Sequence, residues 1–107
     1  MMTIYGEEIS REVINKRCDD LVGQFYKILP LKENASGTVS QYIESLLREL
    51  LGMQSLVVAW HNDGMYASLL GILQYFLDHP ECDIGVVKSD VFKAIKIIKR
   101  LRTKYTD

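Results

Sequence analysis

The 107-residue sequence predicts an all-α fold, a single-domain bundle of four main helices over residues 1–107. Three observations carry this expectation. Apolar residues recur at intervals of three and four through four long stretches, the spacing that gathers them on one helical face. Between the stretches lie links containing Pro, Gly, Asn and Asp, the residues that turns require. Hydrophobic content of 48% beside 25% charged residues is that of a globular chain. A chain of this length buries a little over ~60% of its unfolded surface, enough for one core without disulfides or metal.

The first stretch is residues 7–29. Ile9, Val13, Ile14, Cys18, Leu21, Val22, Phe25, Ile28 and Leu29 form its stripe, and Pro30 is expected to stop it. Residues 31–40, "LKENASGTVS", read as a loop. Thr38 or Ser40 can cap the second helix, and Thr38 to Gln41 has capping-box spacing. Its stripe is Val39, Tyr42, Ile43, Leu46, Leu47, Leu50 and Leu51, with Gly52 expected to weaken or end it.

"MQSLVVAW" reads either way: its β-branched pair favours strand, its Leu-rich neighbours favour helix, and a short fifth helix at 54–61 is one outcome. Asp63-Gly64 is a hairpin signal. The residues after it, "MYASLLGILQYFLDHP", place Met65, Leu69, Leu70, Ile72, Leu73, Phe76 and Leu77 on a face too long for one strand. Asn62 and Asp63 are good N-caps. The stretch "VVAWHNDGMY" is therefore expected to be a corner between helices. Pro80 closes the third helix, and "HPECDIGVVK" reads as a turn or short extended link. Ser89 is expected to cap the fourth helix, with Asp90 in its first turn. Val91, Ala94, Ile95, Ile98, Leu101 and Tyr105 face inward there, while Lys93, Lys96, Lys99, Arg100 and Lys104 ride outside.

A net charge of −1 hides an uneven distribution. Residues 1–87 carry six basic and twelve acidic residues, a net of −6; residues 88–107 carry seven and two, a net of +5. The opening "MMTIYGEEIS" has no basic start or apolar run, so no signal peptide is expected. No apolar run approaches a membrane span. Cys18 and Cys82 belong to no CxxC pair and are expected to be reduced thiols in a soluble cytoplasmic protein.

Trp60, His61, Asn62 and Asp63 bring a general base and a carboxylate to one turn. Adjacent side chains rarely converge on one substrate atom, and no nucleophile motif accompanies them, so no catalytic residue is expected. The same corner suits a binding surface, with Trp60 and Tyr66 as anchors. His79 and Cys82 have the spacing of half a zinc site, which His61 and Cys18 would have to complete. A structural site normally shows two close ligand pairs, so no metal or cofactor is expected. The basic last segment suggests phosphate contacts, but no helix-turn-helix signature or RNP-type aromatic set accompanies it, and lysines there also complement the helix dipole. A nucleic-acid-binding regulator using that helix stays as the alternative. Asp78, Glu81 and Asp83 cluster around the third-to-fourth connection, which in an up-down bundle shares an end with Glu33. That end would attract a basic partner.

Segments such as "YIESLLRELLG", "VVAWHNDGMYASLLGILQYFLDHPECDIG" and "DVFKAIKIIKRL", within roughly residues 38–102, resemble the small helical immunity proteins of bacterial contact-dependent growth inhibition systems. The resemblance implies a cytoplasmic antidote that forms a one-to-one complex with the C-terminal nuclease domain of a toxin, often a tRNase. Neutralisation would be by steric and electrostatic blocking, without catalysis, direct nucleic-acid contact or a membrane. Such families diversify at the interface, so the resemblance assigns no contact residue. Charge and expected exposure nominate Glu33, Asp78, Glu81, Asp83, Trp60, His61, Asp63 and Tyr66.

Overall fold

The computed structural model describes residues 1–34 and 37–106. Four long helices dominate it: α1 is Arg11–Tyr26, α3 is Val39–Leu56, α4 is Gly64–Asp78 and α5 is Ile84–Thr106. A six-residue α2, Ile28–Glu33, joins the first two, and a 3-10 turn at Val58–Trp60 precedes α4. The expected all-α bundle is the observed architecture. Its direction alternates: Arg17 of α1 pairs with Glu49, while Gln24, further along α1, receives the Tyr42 hydroxyl on its carbonyl at 2.8 Å. Asp19 of α1 meets Arg102 of α5 and Tyr26 meets Phe92, which makes that pair antiparallel too.

One buried cluster runs through the bundle. Phe25, Ile28, Leu50, Leu69, Leu73, Val91 and Ala94 are fully enclosed within it. The stripes meet there because each helix has a single wide apolar face and must cover it against a neighbour.

Several boundaries differ from the sequence expectation. The first helix starts at Arg11, after Ser10 accepts the Val13 N–H at 3.3 Å as N-cap. Residues before it fold back instead: Thr3 bridges Val57, Met2 bridges Glu8, and Gly6 takes φ +79°, a left-handed turn open chiefly to glycine. The first helix also breaks at Lys27 and not at Pro30. Pro30 is the third residue of α2, where its missing N–H would have had no intrahelical acceptor. An unbroken helix would need a residue-30 N–H for the Tyr26 carbonyl, which proline lacks, so the break falls just before it at Lys27 while Ile28 stays buried. The expected 31–40 loop is thus helical to Glu33, and its residues 35 and 36 lie outside those described.

Gly52 does not end its helix. α3 continues to Leu56, because Leu50 and Val57 on either side are buried and outweigh a glycine's roughly 1 kcal/mol of lost helix propensity. The short fifth helix expected at 54–61 is therefore the end of α3 plus the 3-10 turn. The last helix begins at Ile84, five residues before the expected cap at Ser89. Asp83 accepts the Val86 N–H at 3.0 Å and is the cap, and the extra turn buries Val87.

Candidate interaction surfaces

At the α3–α4 corner Asp63 caps α4, as its residue type suggested, and accepts the Tyr66 N–H at 3.0 Å. Its other oxygen receives Lys104 Nζ at 2.7 Å and the Tyr105 hydroxyl from the end of α5. Burial alone would raise its pKa, but these donors outweigh it: the Lys104 ammonium, the Tyr105 hydroxyl and the Tyr66 N–H together hold the carboxyl down at about 2. Trp60 stacks on Tyr66 with ring centroids 5.0 Å apart, and Tyr105 meets its edge at 6.5 Å. The Tyr66 hydroxyl donates to the Leu50 carbonyl at 2.6 Å, and burial pushes its pKa up.

This corner is an internal fastening. Trp60, Asp63 and Tyr66 are 3%, 5% and 1% exposed, so three of the four nominated corner residues offer no side chain to a partner. Hydrophobic packing drew the aromatic rings inward, and the carboxylate followed its three donors. His61 is exposed, with Nε2 bonded to the Ser55 carbonyl at 2.9 Å. A carboxylate already saturated by a cap, an ammonium and a phenol is a poor general base, because its proton affinity is suppressed. Lys104 and Tyr105 were not visible as its partners in the sequence, which separates them from it by 41 and 42 residues. The Tyr66 burial did carry a signal: Tyr66, Leu69, Leu73 and Phe76 follow helical spacing, and all four are buried.

The opposite end holds the acidic group. Glu33, Asp78, Glu81 and Asp83 are all exposed. Lys32 Nζ donates to the Pro80 carbonyl at 2.8 Å, which ties the end of α2 to the α4–α5 connection and brings the four carboxylates to one end. They are not equally free. Asp83 caps α5, and Asp78 accepts Gln74 Nε2 at 2.9 Å. Glu81 is held below the usual carboxylate range by its own backbone N–H and by His79 Nδ1, 3.4 Å away. A 15-residue helix, roughly 22 Å long, separates this end from His61.

The sequence-nominated zinc ligands do not converge. His79 and Cys82 share the α4–α5 connection, Cys18 lies in the core, and His61 is at the far end. Among the described residues no group of three or more His, Cys, Asp or Glu side chains is placed to hold a metal ion. Burial pushes the Cys18 thiol up, away from a reactive thiolate.

Two further features were not singled out from the sequence. A cleft of about 260 Å³ between α1, α3 and the N-terminal turn is walled by Ile9, Val13, Met53, Leu56 and Trp60, beside the Arg17–Glu49 ion pair. Its apolar walls and mutually neutralised ion pair present no acid–base couple. On α5, Tyr26 of α1 and Phe92 form an edge-to-face pair with centroids 6.1 Å apart, and both stay more than 40% exposed. Among the described residues no helix is long and apolar enough to cross a membrane. No family model, curated protein or solved structure matches the chain.

Proposed function

We propose that this protein is a non-catalytic inhibitor of immunity type, which binds a cationic nuclease toxin domain one-to-one and blocks it. The observation that carries the reading is the acidic end: four exposed carboxylates from two separate connections, held together by the Lys32–Pro80 bond. A nuclease that acts on tRNA must present cations to phosphates. A fixed anionic end steers such a surface into encounter and competes with the substrate for it. The internal use of Asp63 and the apolar character of the cleft supply no competing chemistry. Of the eight nominated residues, Glu33, Asp78, Glu81 and Asp83 share one end, exposed His61 lies at the other, and Trp60, Asp63 and Tyr66 are buried.

The test is capture with the whole protein as bait from cells of the source strain, followed by assay of what is retained. A basic nuclease domain that binds and loses tRNA cleavage at one equivalent of bait is the expected result. A retained nuclease that stays fully active, or no basic nuclease at all, overturns the proposal.

A further inference from the structure

α5 carries an exposed face of unusual charge, and we propose that this face, centred on Phe92 and Tyr26, binds single-stranded nucleic acid. At about 100° per residue, Lys88, Lys93, Lys96, Lys99 and Arg100 fall within roughly 140° of the helix circumference, with Phe92 inside the arc. From Lys88 to Arg100 the face is about 18 Å long. Val91, Ala94, Ile95, Ile98 and Leu101 are buried on the opposite arc, which fixes the cations outward.

The helix neutralises its other two cations internally. Arg102 donates to Asp19 at 2.7 Å and to Asn15 at 3.2 Å, and Lys104 meets Asp63. The remaining five have no carboxylate partner among the described residues. Like charges gathered this closely repel one another, and a polyanion relieves that repulsion while releasing its own counterions. Asp19 is committed to Arg102, and Asp90 lies outside the arc and is partly buried.

The aromatic pair selects among polyanions. Tyr26 and Phe92 are 44% and 41% exposed, large flat surfaces left in water amid the lysines. Bases of a single strand can stack on such rings, whereas those of a duplex are already stacked on each other. A bilayer surface would call for apolar residues running along the same face, and here the face is cationic around one ring pair. The acidic end uses different residues, so this inference stands or falls independently of the inhibitor reading.

The probe is a fluorescently labelled twelve-nucleotide oligo(U), titrated with the whole protein by anisotropy at several salt concentrations. Binding should weaken with salt at about −0.7 in log–log slope per phosphate contact, so between roughly −2 and −3.5 for three to five contacts. Replacing both Lys96 and Lys99 by Ala should flatten the slope by about 1.4. Replacing both Tyr26 and Phe92 by Ala should weaken binding roughly tenfold with the slope unchanged. Circular-dichroism melting confirms that each variant is folded. Absence of binding at low salt overturns the proposal. So does equal affinity for a matched duplex, binding to phosphatidylserine vesicles without binding to oligo(U), or folded variants that bind like the parent.

Discussion

At Asp63 three donors from two helices converge on one buried carboxylate: the Tyr66 N–H, the Lys104 ammonium and the Tyr105 hydroxyl. The consequence is a stability term that depends on pH. Folding lowers this carboxyl from an ordinary 3.8 to about 2. The unfolded chain therefore binds the proton more readily, and stability must rise with pH across that window. The contribution, about 2 kcal/mol, is fully present above the unfolded value and is lost as pH falls through the folded one. Asn at this position still caps α4, so Asp63→Asn should remove the charge-dependent part and the dependence with it. Asp63→Ala should cost about 1 kcal/mol more, for the lost cap. Urea unfolding followed by the fluorescence of buried Trp60, at neutral pH and between pH 4 and 2, measures both. If parent and Asn variant lose stability in parallel through that window, the carboxylate is not held as described.

Helix type and order were legible in the sequence, because the deciding signals are local. α4 is the clearest case: an Asp cap followed by fifteen residues with an apolar stripe leaves little for distant contacts to change. The boundaries that escaped prediction are those set by burial elsewhere. Val57 carries α3 past Gly52, and Val87 extends α5 backward to Asp83. The site was less legible than the fold. Whether a corner Trp is an anchor or a plug depends on its neighbours, and at Trp60 these are Tyr66 and the distant Tyr105. Two glycines now separate local preference from tertiary demand. Gly52 lies mid-helix, exposed, with open space where a Cβ would go. Gly52→Ala should therefore stabilise by roughly 0.5–1 kcal/mol. Gly6 also has open space but stands at φ +79°, so Gly6→Ala should cost about 1 kcal/mol through backbone strain alone. Chemical denaturation of the two variants should move the midpoint in opposite directions; movement in the same direction would show that neither glycine's backbone sets its effect.

The molecule is elongated, 42 × 22 × 20 Å, with carboxylates at the α2 and α4–α5 end and, along α5, five cations that have no carboxylate partner among the described residues. Charges separated by more than the Debye length of roughly 8–10 Å are largely screened at physiological salt. A basic partner docking at the acidic end should therefore respond mainly to the local carboxylates. Reversal of Glu33, Asp78 and Glu81 to Lys is the informative change. Asp83 is spared because it caps α5, and its loss would confuse docking with folding. The three chosen side chains are exposed, so the melting temperature should move by no more than a few degrees. The association rate with the nuclease domain should fall roughly tenfold or more, while dissociation changes little, and the gap should narrow as salt rises. Neutralising Lys96, Lys99 and Arg100 removes cations that repel the same partner, so association should hold steady or quicken. Stopped-flow mixing of each variant with the captured nuclease reads both arms. Should the α5 variant lose association while the acidic-end variant keeps it, the partner is itself anionic and docks on α5, because no cationic surface could be slowed by removing positive charge from its target.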